Sequence, residues 1–114
     1  DPLGTLADYC SGCYTNLNLP ARVDMIVNYI RVYQADGFLI NSVKSCNSFS
    51  AGQLMILREV EKRTGIPGAL IESDLVDPRY FSAANIKNRL ESYFQMIKQK
   101  RTAAQSAVQT PAVH

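Results

Sequence analysis

Two short, unbroken apolar runs, Phe38-Leu39-Ile40 and Ala69-Leu70-Ile71, constrain this 114-residue chain more than any other feature. Each follows turn residues, Asp36-Gly37 for the first and Pro67 for the second. Such a run reads as a strand buried on both faces. Between them Leu54, Leu57, Val60 and Glu61 keep helical spacing as far as Thr64-Gly65, where glycine suits the left-handed residue just past a helix end. Ser50-Ala51-Gly52-Gln53 has the spacing of a capping box, so Ser50 is expected to start that helix. Upstream, Pro20 followed by Val23, Ile26, Val27, Ile30 and Tyr33 predicts a helix over residues 20–35. Downstream, Ser82 caps a last helix with Ile86, Leu90, Phe94 and Ile97 along one side.

The order helix, strand, helix, strand, helix implies a parallel sheet covered by helices. Parallel strands are rarely found as an isolated pair. The fold class expected is therefore α/β, a partial three-layer lobe belonging to a larger domain. Pro2 can open a brief helix that Ser11-Gly12 breaks, and the start Asp1-Pro2-Leu3, without Met, suits processing or a piece of something longer. Residues 1–101 form the lobe. From Thr102 the chain loses apolar period, and residues 102–114 read as a disordered tail.

The composition is that of an ordinary globular domain, which sets aside disordered and fibrous classes. No apolar run reaches the ~18–20 residues of a membrane span, and no basic-then-apolar leader opens the chain, so no membrane role is expected. A net charge of +2 is too slight for a nucleic-acid footprint. Lys87, Arg89, Lys98, Lys100 and Arg101 read as a solvated helix face. Three cysteines, an odd count, fit a reducing, cytoplasmic setting better than a disulfide framework.

Ligands of open α/β sheets bind beyond the carboxyl ends of the strands. Here those ends are residues 41–48, with Lys44, Ser45 and Cys46, and residues 72–77, with Glu72, Asp74 and Asp77. Cys46 stands just before a helix start, where a thiolate is favoured, although a small apolar thiol tucked under the loop reads equally well. Glu72, Asp74 and Asp77 can make a magnesium site, but turn residues are the better reading. Cys10-Ser11-Gly12-Cys13 is a C-x-x-C pair without the strand-to-helix setting of a redox motif or the second pair of a zinc ribbon. Three thiolates could still hold an iron–sulfur cluster with one open iron. His114, the single histidine, ends the tail, so a Cys/His or Ser/His nucleophile has no base. No nucleotide-phosphate loop occurs. The six tyrosines share no face and read as core-edge residues.

Asp36-Gly37-Phe38-Leu39-Ile40-Asn41-Ser42-Val43-Lys44-Ser45-Cys46, then Gly65-Ile66-Pro67, Ile71-Glu72-Ser73-Asp74, Asp77-Pro78-Arg79 and Phe81-Ser82, form an ordered set. Together they resemble the carboxyl-terminal lobe of the family that unites ATP-dependent benzoyl-CoA reductases with 2-hydroxyacyl-CoA dehydratases. The resemblance covers residues 1–101. Lys44 to Gln53 looks closer to the larger cluster-bearing subunit of the reductases.

The resemblance implies an oxygen-sensitive four-iron–four-sulfur cluster in each of two related subunits. Three cysteines would hold it, one from this lobe at the position of Cys46 and two from an amino-terminal lobe; Cys10 and Cys13 do not match. It also implies partner subunits that hydrolyse ATP, ferredoxin as electron source, and an acyl-CoA substrate. The thioester carbonyl would accept one electron as a ketyl radical anion. A second electron and protons then give a cyclic diene thioester, whereas in the dehydratases the same radical expels hydroxyl. The rival from another class is a non-catalytic α/β interaction module with structural cysteines.

Overall fold

The computed structural model describes residues 1–108. The chain divides into two compact units after Phe81, and each is described by itself. The first unit opens with helix α1 (Pro2–Gly12), whose N-terminus is capped by Asp1 accepting from Leu3 N–H at 3.1 Å. α1 buries none of its residues. A short 3-10 turn (Tyr14–Asn16) leads to α2 (Leu19–Val32). Asn18 caps α2 through Ala21 N–H at 2.9 Å, and Pro20 sits in the first turn, where its missing N–H costs nothing.

Strand β1 (Phe38–Val43) is followed by a single helical turn, α3 (Asn47–Ser50), then α4 (Gln53–Thr64) and strand β2 (Gly68–Ser73). β1 and β2 pair in parallel, Phe38 opposite Gly68 through Val43 opposite Ser73. The chain is thus an α/β fragment, a two-stranded parallel sheet flanked by helices.

Val23, Val27 and Ile30 of α2, Ile40 of β1, and Ile56, Leu57 and Val60 of α4 form one buried cluster. α2 and α4 therefore cover the same face of the sheet. Ile56 and Val60 are essentially sealed from solvent, each stabilising by ~1.5–3 kcal/mol. Arg63 ties the two helices at the surface, reaching Asp24 at 2.7 Å and Glu59 at 2.8 Å, solvent-screened pairs that add little to stability.

Three boundaries differ from expectation, each for a local reason. α2 stops at Val32, short of residue 35, because Gln34 takes a left-handed φ of 50°. β1 runs to Val43 rather than Ile40: Ser42 is buried in the ladder despite its hydroxyl, and Asn41 bonds Ser73 across the strands. The loop expected over residues 41–48 shrinks accordingly. Ser50 ends α3 and caps nothing; the residue preceding α4 is Gly52, left-handed at φ 76°. Gly65, at φ 68°, closes α4 as its position predicts.

The second unit holds α5 (Ala83–Val108), whose start Ser82 caps through Asn85 N–H at 3.3 Å. The helix carries on past Thr102, where a disordered tail was expected, because alanines such as Ala103 and Ala104 sustain a helix without any apolar stripe. The rest of that segment, 109–114, lies outside the described residues. Lys87, Arg89, Lys98, Lys100 and Arg101 are exposed along α5. No helix among the described residues is long and apolar enough to cross a membrane.

Candidate functional site

The parallel register brings the two carboxyl-end loops side by side, since Val43 opposite Ser73 delivers Ser45 next to Asp74. Asp74 is the knot between them. Its carboxylate accepts from Ser45 N–H at 2.8 Å, Ser45 hydroxyl at 3.0 Å, Val76 N–H at 2.9 Å and Asp77 N–H at 3.1 Å. These donors, Val76 N–H first, hold its carboxyl down at about 2. Lys44 and Glu72 add an ion pair of 2.6 Å across the same loops.

The acidic trio does not converge on a cation. Glu72 faces Lys44, Asp74 is spent on the loops, and Asp77 caps the turn Pro78–Tyr80 while pairing with Arg79. The Arg79 contact keeps the Asp77 carboxyl below its ordinary value. Asp74 and Asp77 are turn residues, as their positions suggested, whereas Glu72 belongs to β2 and pairs across the loops with Lys44.

Cys46 sits at the end of this pinned loop, half-buried, its N–H donating to Val43 O and its carbonyl accepting from Phe49 N–H, both at 3.1 Å. It precedes α3, a single turn, and not the longer helix expected there, so a helix-dipole argument for a thiolate loses its basis. Phe49 stacks on Tyr14 with ring centroids 6.3 Å apart.

Arg22 braces the same corner. It is almost fully buried, donating from Nε to Leu17 O at 2.9 Å, from Nη1 to Ser48 O at 3.0 Å and from Nη2 to Thr15 O at 2.7 Å, while lying over the Tyr14 ring. Burial pushes the Tyr14 phenol up, and Arg22 partly offsets this. Sequence reasoning passed over Arg22, yet a signal was there: it falls on the apolar stripe of α2, three residues after Leu19 and one before Val23.

Beside this corner lies an open, mostly apolar concavity of about 450 Å3, whose walls include Tyr14, Ile26, Phe49 and Gln53. Gln53 is 2% exposed, and its Oε1 has no hydrogen-bond partner among the described residues. Cys10 is exposed near the end of α1, and Cys13 follows that helix as its cap, its thiol 3.5 Å from Tyr9 O. The C-x-x-C pair thus closes a helix, the reverse of a redox motif that opens one. His114 lies outside the described residues.

Among the described residues no three Cys, His, Asp or Glu side chains gather into a metal-holding set. Thiolate is the donor that iron–sulfur clusters take. Cys46 is a single thiol at the rim, and the described residues do not complete a cluster site.

Residues 1–97 match the model of the 2-hydroxyglutaryl-CoA dehydratase, D-component family, and the chain belongs to that family. Over 107 residues, 94% of the chain, it is 73% identical to a subunit of benzoyl-CoA reductase from Thauera aromatica, covering 25% of that protein. The alpha subunit of lactoyl-CoA dehydratase from Anaerotignum propionicum is 24% identical over 92% of the chain and 25% of its own length. The (R)-phenyllactyl-CoA dehydratase alpha subunit of Clostridium sporogenes is 30% identical over 77% of the chain and 22% of its own. The chain therefore spans about a quarter of the length of these curated relatives. No solved structure matches it significantly.

Proposed function

We propose that this chain is the carboxyl-terminal lobe, residues 1–101, of an ATP-dependent benzoyl-CoA reductase subunit, and that Cys46 is one ligand of its four-iron–four-sulfur cluster. The observation that carries the reading is the 73% identity to a benzoyl-CoA reductase subunit, against 24% and 30% to dehydratase subunits. The remaining cluster ligands would come from an amino-terminal lobe. A homologous cluster-bearing subunit, ATP-hydrolysing activator subunits and ferredoxin would complete a cytoplasmic assembly.

A bound cluster would supply single electrons at low potential for dearomatising the ring of benzoyl-CoA to a cyclic diene thioester. What this lobe contributes is a fixed rim. Asp74 and Glu72 hold the loop before Cys46, and Arg22 holds Ser48 just after it. The apolar residues alongside, Tyr14 and Phe49 among them, would lower the polarity around a bound cluster, and burial and hydrogen bonding of that kind tune its potential. Leu3, Leu6 and Tyr9 of α1, and Leu75 and Val76 after β2, are exposed apolar residues of the kind a further lobe covers.

The test uses the full-length subunit in its complex, prepared without oxygen. Cys46→Ala is expected to lower iron and sulfide content, remove the cluster's paramagnetic resonance signal and abolish ATP-dependent ring reduction. Cys10→Ala and Cys13→Ala are expected to do much less. A full cluster and normal turnover in Cys46→Ala would overturn the ligand assignment, and loss of the cluster in Cys13→Ala would move it to the C-x-x-C pair. Wild-type enzyme that dehydrates a 2-hydroxyacyl-CoA and leaves benzoyl-CoA untouched would overturn the reaction.

A further inference from the structure

The outer edge of β1 has no strand beside it among the described residues. Phe38 N–H donates to Pro67 O at 3.3 Å and Lys44 N–H to Ser73 O at 3.0 Å. Consecutive residues of a strand turn their main-chain groups to opposite edges. The even-numbered residues of β1 thus pair with β2, while Leu39, Asn41 and Val43 turn theirs to the far side. Of these groups the Val43 carbonyl is taken by Cys46 N–H. No strand of the described residues lies along that side. On β2, by contrast, the outward Gly68 N–H is met by Glu61 Oε1 at 2.9 Å.

The 450 Å3 concavity lies against this edge, since Leu39, Asn41 and Val43 form one of its walls and Ile26 of α2 another. A wall of main-chain donors and acceptors within an apolar trough calls for a partner with main-chain groups at strand spacing. The handedness of crossovers says from where. α4 links β1 to β2, and α2 packs on the same face of the sheet through the cluster around Ile40. Parallel crossovers are right-handed, so a strand entering β1 by way of α2 must lie on the side of β1 away from β2. Gln53 lines the trough at the carboxyl end of β1, and its buried Oε1 lacks a donor among the described residues. The relatives, about four times as long, leave ample chain to supply one.

We infer that the outer edge of β1 pairs with a third strand, parallel to it, from the stretch of the same subunit that precedes α1. An N–H at the carboxyl end of that strand donates to Gln53 Oε1. The inference rests on the chain being a lobe of a longer subunit and not on which thioester reaction that subunit performs.

Residue-resolved amide hydrogen exchange on the full-length subunit, without acyl-CoA, tests it. Leu39, Asn41 and Val43 are expected to exchange as slowly as Ile40 and Ser42, on the order of a hundredfold slower than open amides. Fast exchange at the odd-numbered residues beside slow exchange at the even ones overturns the inference. So does protection that arises only when benzoyl-CoA is added, which makes the trough a ligand site. Protection that arises only with the sister subunit also overturns it, because the strand then comes from elsewhere. Gln53→Met, which removes the acceptor and keeps the bulk, is expected to speed exchange at Val43 more than at Leu39; equal rates in variant and wild type overturn the role of Gln53. Exchange needs no turnover, so a subunit that proves to be a dehydratase leaves the strand standing.

Discussion

Replacing Gly52 with alanine separates two costs that the fold combines at one residue. Gly52 stands between α3 and α4 at φ 76°, where an L side chain is strained by ~1–2 kcal/mol. A Cβ there would also lie 2.7 Å from Leu19 Cδ2 and 3.3 Å from Cδ1. The obstacle is the end of a flexible side chain, but Leu19 packs against the core and cannot swing freely. Its displacement adds ~1 kcal/mol, the low end of overpacking. Gly65→Ala is the control, for it has φ 68° and nothing within 4 Å of the added carbon, so only the strain remains. Both glycines flank α4, and the readout is the opening free energy of the Ile56 and Val60 amides by native-state exchange in the full-length subunit. Gly52→Ala is expected to lower it by about 2–3 kcal/mol and Gly65→Ala by about 1–2 kcal/mol. Adding Leu19→Ala to Gly52→Ala should recover the ~1 kcal/mol difference as a coupling energy. Equal losses for the two glycines would refute the steric part of the reasoning, and an unaltered α4 in Gly52→Ala would refute all of it.

Two further outcomes follow from the corner around Cys46. The Asp74 carboxyl is held at about 2, below its ordinary 3.8, so its contribution is present above pH 4 and lost as pH falls toward 2. The melting-temperature gap between wild type and Asp74→Asn should stay constant from pH 7 to about 4.5 and close below that; a gap that widens on acidification would contradict it. Arg22→Met leaves three carbonyls without their donor and should cost about 3 kcal/mol or more, with Arg22→Lys in between. Exchange across residues 44–50 checks this, and an unperturbed segment in Arg22→Met would show that Arg22 braces nothing.

The helical and parallel character of the fold was readable because it rests on signals confined to a few neighbouring residues. Asn18 and Pro20 start α2, Val23 to Ile30 give its buried side, and Gly65 ends α4. What escaped depends on pairs distant in sequence. Ser42 and Asn41 look like loop residues until the register sets Asn41 beside Ser73. The Ser50–Gln53 spacing imitates a capping box, yet Gly52 takes a left-handed turn that strains an L side chain, and Gln53 goes into the interior instead of bonding back. The position of Cys46 between a strand and a helix was legible from order alone. Its bracing by Asp74 and Arg22 was not, because both reach it through bonds to Ser45 and Ser48 that span 26 to 29 residues.

That bracing bears on what kind of thiol Cys46 is. A cysteine that merely fills space under a loop needs apolar neighbours and nothing more. Here the residue before it is bonded through both its N–H and its hydroxyl to one carboxylate, and the carbonyl two residues after it is held by a buried guanidinium. Such bonds leave the side chain half-buried and its backbone fixed from both directions. A ligand benefits from that arrangement, since supporting bonds that lock its backbone spare reorganisation when charge changes on the group it holds. The same bonds explain why the loop between β1 and α3 can be three residues long, and why the sulfur stands at the carboxyl rim of the sheet.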